Sequence, residues 1–110
     1  MVYHLDGSTI ATDEEGYLED DSLWSPQLAL LIARNERIDL QDDHWQVINF
    51  LRHYYQQNRI APTVRVLTQE VRKTLGPEKG NSRYLYRLFP RGTATQASKI
   101  AGLPKPTGCI

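Results

Sequence analysis

The spacing of apolar positions changes character along the chain, and each change predicts an element. Val2-Tyr3-His4-Leu5 and Ser8-Thr9-Ile10-Ala11 place β-favouring residues on either side of Asp6-Gly7, the signal of a two-residue hairpin turn. One hairpin alone is marginal in water, so this one must lie on the helices that follow. Thr12 to Asp21 is acid-rich and reads as an irregular surface connection pinned by Tyr17 and Leu18. Ser25 then caps a helix with Pro26 at its first position, where the missing N–H costs nothing. Leu28, Leu31 and Ile32 form its inner stripe, and Asn35 is its stop. Trp24, just before the cap, is expected to pack on this helix as a staple-like contact.

Asp42 or Asp43 opens a longer helix with Trp45, Ile48, Leu51 and Tyr55 on one band, broadened by Val47, Phe50 and Tyr54. Its length makes it the expected central helix, and its His44 and His53 read as polar fillers. Asn58 and Arg59 end it, and Pro62 enforces the break. Thr63 caps a third helix carrying Val66, Leu67, Val71 and Leu75, closed by Gly76-Pro77. Asn81 or Ser82 starts a fourth, with Leu85, Leu88 and Phe89 inward and Arg83 and Arg87 one turn apart on another face. Pro90 and Gly92 stop it. A short fifth helix runs from Thr93 to Ala101 with Ala94, Ala97, Ile100 and Ala101 small enough for close packing, and Gly102 ends it. Pro104 and Pro106 then bias the remaining residues toward an extended path. The prediction is a mainly α (α+β) fold: an N-terminal hairpin on an orthogonal bundle of about five helices. Residues 1–101 form one domain, and residues 102–110 a mobile C-terminal arm.

Composition narrows the class without changing the fold. The chain has 110 residues, 40% apolar and 24% charged, which suits one globular domain and argues against disorder. The longest apolar run, Leu28 to Ala33, is far short of a membrane span, and the N-terminus lacks the pattern of a signal peptide, so a cytoplasmic protein with no direct membrane contact is expected. Charge does change the picture. Residues 1–43 hold eleven acids against Arg34 and Arg37, a net of −9, whereas residues 44–110 hold eleven bases against Glu70 and Glu78, a net of +9. Such a division suits complementary surfaces within the fold or toward partners, contact with nucleic acid, or simply solvated faces. The second and third helices, with Arg65, Arg72 and Lys73, raise helix-turn-helix DNA binding as a remote alternative, but a basic arm and an Arg/Asn/Gln base-reading face are missing. The interleaved Arg83-Tyr84-Leu85-Tyr86-Arg87 would suit stacked bases and equally a buried helix with snorkelling arginines.

Candidate chemistry centres on the terminus. A single cysteine, Cys109, forms no internal disulfide and by itself no zinc site; with His4, His44 and His53 scattered, no metal or cofactor is predicted. Cys109 follows Gly108, which removes side-chain bulk beside the thiol, on a proline-stiffened arm. The arm reads either as a probe carrying one nucleophile or as a terminal tail with an incidental thiol. The α-carboxylate of Ile110 opposes the thiolate, so a compensating cation is required. Lys105 is nearest in sequence; Arg83, Arg87, Arg91 and Lys99 come next if the arm folds over the last helices.

Gly80-Asn81-Ser82-Arg83-Tyr84-Leu85-Tyr86-Arg87-Leu88-Phe89-Pro90 and the terminal Lys99-Ile100-Ala101-Gly102-Leu103-Pro104-Lys105-Pro106-Thr107-Gly108-Cys109-Ile110 resemble the TusE/DsrC family of sulfur carriers, with Asp13-Glu14-Glu15-Gly16-Tyr17-Leu18 and His44-Trp45 in agreement. The resemblance implies a hairpin on a helical bundle and a flexible arm whose penultimate cysteine, here Cys109, carries sulfur. It also implies a division at a second cysteine eleven residues upstream, where this chain has Ser98, which points to the tRNA-thiolation branch. The implied partners are a TusBCD-like donor complex and an MnmA-like thiouridylase acting on the wobble uridine of tRNA, with nucleic-acid contact indirect. The alternative within the family is a DsrC-like sulfur-linked regulator or sulfite-reductase-associated binding protein without transfer activity.

Overall fold

Asp6 and Gly7 both take positive φ, at 50° and 81°, which builds a hairpin turn whose twist matches its strands. The computed structural model describes residues 1–106. Strands β1 (Val2–Leu5) and β2 (Ser8–Ala11) pair antiparallel with Tyr3 opposite Ile10, both side chains being buried, and Leu5 on the same face packs against the core. The hairpin lies on α1. The acidic connection is held as expected: Tyr17 and Leu18 are buried, and the Asp13 carboxylate accepts from the N–H groups of Glu15 and Tyr17 at 2.9 and 3.0 Å. A single 3₁₀ turn at Asp21–Leu23, which no apolar period announces, leads to Trp24.

Five helices follow: α1 (Pro26–Asn35), α2 (Asp42–Asn58), α3 (Val64–Leu75), α4 (Ser82–Leu88) and α5 (Thr93–Ile100). Ser25, Thr63 and Asn81 cap α1, α3 and α4 by accepting from the N–H of Leu28, Val66 and Tyr84. His44 is more than a filler. Its Nδ1 accepts from the N–H of Gln41 and its Nε2 meets the Leu88 carbonyl at 3.0 Å, so one buried neutral imidazole joins the start of α2 to the end of α4.

The centre of the molecule is α5 rather than the longer α2. Six of its eight residues, including Ser98 and Gln96, are buried, and α5 packs against each of the other four helices. Small side chains explain this: Ala94, Ala97 and Ser98 let neighbouring backbones approach, and the large side chains come from around them, Leu28, Ile32, Ile48, Leu51, Leu67, Leu85 and Phe89 all being fully buried. Packing also continues past Gly102, where the sequence starts the arm. Gly102, Leu103 and Pro106 are buried and only Pro104 and Lys105 of this stretch are exposed, so the body reaches at least to Leu103.

Candidate functional site: the root of the C-terminal arm

An α-helix ends with four carbonyls that lack partners inside it. At the end of α5 all four are satisfied. Gly102 takes φ +75°, and its N–H donates to the Lys99 carbonyl while that of Leu103 donates to Ser98, at 3.1 and 2.9 Å. This is the paired bonding of a glycine-terminated helix, and it consumes two of the four. The other two go to side chains distant in sequence: Trp24 Nε1 donates to the Ile100 carbonyl at 2.9 Å, and Arg52 Nη1 to that of Ala101 at 2.7 Å. The guanidinium of Arg52 also lies over the Trp24 ring, 3.9 Å from its centroid. Burial pulls its pKa below the ordinary value, opposed by the Asp21 charge, yet a guanidinium stays charged at neutral pH and sits well at the negative end of a helix.

Gly102 is required here for space as well as for φ. A Cβ on it would stand 2.4 Å from Trp24 Cδ1. Beyond Leu103 the chain crosses the acidic connection. Pro104 borders a hollow of about 200 Å³ with Leu18, Glu19, Asp20, Asp21 and Tyr55, and Lys105 Nζ reaches the Glu15 carboxylate at 2.9 and 3.2 Å. Both partners of that pair are about half exposed, so it contributes at most about 1 kcal/mol. Tyr17 anchors the same connection by donating its phenol to the Thr95 carbonyl at 3.2 Å. Burial, helped by Glu15, Asp13 and Glu36, pushes that phenol up to about 12.

Of the cations proposed from sequence, Lys105 and Lys99 both reach the 15–17 stretch, while the three arginines lie elsewhere. Lys105 is at the root but engaged by Glu15. Lys99, one-sixth exposed, meets Glu36 at 3.4 Å and stands over the Tyr17 ring, so it ties α5 to the end of α1. Arg83, Arg87 and Arg91 are exposed, on α4 and just ahead of α5. Arg91 directly precedes Gly92, the cap of α5, and Arg83 and Arg87 lie on the helix before it. Gly108 and Cys109 lie outside the described residues. Sequence reasoning missed Arg52 entirely, took Glu15 only as part of the family-like 13–18 stretch, and gave Trp24 a local partner. Arg52 carries no local signal, because the carbonyl it serves is 49 positions away. Among the described residues no cluster of His, Cys, Asp or Glu is placed to hold a metal ion.

Comparison with known proteins covers the same span. A family model described as DsrC like protein matches residues 4–110. Sulfurtransferase TusE of Escherichia coli (strain K12) is 53% identical over 106 residues, 96% of this chain and 97% of that one. Sulfurtransferase TusE of Pectobacterium atrosepticum is 52% identical over 109 residues, 99% and 100% of the two chains. Among solved structures, DsrC of Allochromatium vinosum superposes with a TM-score of 0.90 at 54% identity, and the oxidized gamma-subunit of the dissimilatory sulfite reductase (DsrC) from Archaeoglobus fulgidus with 0.87 at 38%, each covering both chains completely. The fold is thus shared with these structures along the whole length, and the chain belongs to the DsrC-like family.

Proposed function

We propose that this chain is a sulfur-relay protein of the cytoplasm in which Cys109 takes a sulfur atom from a TusBCD-like donor and gives it to an MnmA-like tRNA thiouridylase. The observation that carries the reading is the 53% identity to a sulfurtransferase, TusE, over almost the full length of both chains, with the only cysteine of this one inside the matched family span. The Cys109 thiolate attacks the outer sulfur of a donor cysteine persulfide; the S–S bond breaks, the donor thiolate leaves, and Cys109 holds the persulfide. An acceptor thiolate then attacks that outer sulfur and releases the Cys109 thiolate. No net oxidant or reductant is consumed. A single cysteine suffices for both half-reactions, and Ser98 removes the partner that an intramolecular disulfide would need.

A second reading, a DsrC-like regulator or sulfite-reductase-associated binding protein, is supported by the 54% identity to the Allochromatium vinosum DsrC. One experiment separates them. Incubated with a cysteine desulfurase, the donor complex and cysteine, the wild-type chain is expected to gain a single adduct of about 32 Da, one sulfur atom, that disappears when the acceptor is added. Cys109→Ser should gain none. An adduct that forms but persists in the presence of acceptor favours the regulatory reading, and an adduct on Cys109→Ser contradicts both.

A further inference from the structure

We infer that Trp24 and Arg52 are positioning residues for sulfur transfer: by holding the carbonyls of Ile100 and Ala101 they set the direction in which the chain leaves the body toward Cys109. The inference rests on the relay reading for its functional consequence and on the geometry of the root for its cause.

A glycine-terminated helix end pairs two of its four final carbonyls with its own backbone, here through Gly102 and Leu103, and the other two fall to Trp24 and Arg52. The two side chains add something else. They come from the 3₁₀ turn before α1 and from the middle of α2, two elements that do not touch in sequence, and they grip consecutive carbonyls at 2.9 and 2.7 Å while stacking on each other. The indole also abuts Gly102, on the space that a Cβ would take. The peptide planes from Ile100 to Gly102 are therefore fixed from two sides at the point where the chain turns away from the helix axis. Leu103, 1% exposed, pins the next residue in the core. Six positions separate Leu103 from Cys109, at most about 20 Å of fully extended chain, so a small rotation of those planes moves the range open to the thiol by many ångströms. An acceptor thiol must meet the outer sulfur in line, and a root free to rotate would spread the same thiol over directions that cannot react.

The test uses the full chain and its only thiol. A nitroxide on Cys109 broadens the backbone amides that it visits. In the wild type, broadening is expected to concentrate around residues 13–21, the segment that Pro104 and Lys105 cross. Trp24→Phe, which keeps a ring and loses the donor, and Arg52→Gln, which loses the cation, should each spread the broadening over at least twice as many amides. Arg52→Lys, with donor and charge retained, should stay close to wild type. In parallel, persulfide-loaded protein is discharged to dithiothreitol and to the acceptor enzyme. Discharge to the small thiol should remain within twofold for every variant, while discharge to the enzyme slows at least fivefold for Trp24→Phe and Arg52→Gln, through a higher KM. Val71→Ala, a core truncation in α3, controls for lost stability and should transfer normally. Variants with wild-type broadening and wild-type transfer, or an equal slowing by Val71→Ala, overturn the inference. If wild-type protein itself fails to discharge to the enzyme, the relay reading fails, and the broadening patterns still decide whether Trp24 and Arg52 aim the arm.

Discussion

The two ends of α5 use their polar groups in opposite ways. At its C-terminal end every final carbonyl has a donor, two of them supplied by Trp24 and Arg52, and a glycine is held against an indole with no room for a methyl group. At its N-terminal end the cap is Gly92, without a side-chain bond, beside a hollow of about 360 Å³ walled by Val64, Ser82, Tyr86 and Thr93 to Thr95. Arg83 and Arg87, on the helix that leads into that end, and Arg91, just before Gly92, are exposed, and among the described residues all four ion pairs use lysine, none arginine. Three of those lysine pairs, to Asp43, Glu36 and Glu15, join the basic half of the chain to the acidic half. Charge asymmetry in the sequence is thus partly internal, spent by lysines on holding the body, while Arg83, Arg87 and Arg91 face solvent. An over-determined end and an open end on one short helix suggest different duties, and substitution can separate them.

The largest effect is expected at the closed end. Gly102→Ala forces a Cβ into the Trp24 ring and a non-glycine residue to φ +75°, at a cost of roughly 3 kcal/mol, which thermal denaturation should register as a fall in Tm of more than about 10 °C. An unchanged Tm would mean that the indole is free to move aside. Leu103→Ala should cost about 2–4 kcal/mol if this residue is core, measured by urea unfolding, and close to nothing if it belongs to a detached arm. At the open end, the double variant Arg83→Ala and Arg87→Ala should change stability by less than about 0.5 kcal/mol per site and leave the rate of Cys109 alkylation at neutral pH as it was. A slowed rate would bring these arginines back to the thiol. Lys105→Ala, which loses an exposed pair with Glu15, should likewise cost little stability and leave Cys109 alkylation within about twofold, since a cation shared with a carboxylate gives the thiolate little support.

What could be read from the sequence was what is decided locally. Asp6-Gly7 names its turn, Ser25-Pro26, Thr63 and Asn81 name the starts of three helices, and Gly102 names the end of the last one, because each acts on residues within four positions of itself. The packing hierarchy was not legible in the same way. Length and a broad apolar band mark α2 as the centre, whereas Ala94, Ala97 and Ser98 make α5 the hub by what they lack, and absence of bulk has no periodic signature. His44, Trp24 and Arg52 were misjudged or passed over for one reason. Each serves a backbone carbonyl 44 to 76 positions away, and a carbonyl leaves no mark in an amino-acid sequence. The family resemblance, carried by the 80–90 and 99–110 stretches, is what favours a nucleophile at Cys109 where composition alone leaves an incidental thiol equally open.

The most direct test of the account follows one labelled atom. Protein loaded with radioactive sulfur, freed of donor and mixed with the tRNA thiouridylase and its tRNA, should lose the label from Cys109 and deliver it into thiolated tRNA in proportion. Label that stays on this chain, or that reaches tRNA equally well from the Cys109→Ser protein, would contradict the claim that its one thiol carries the sulfur.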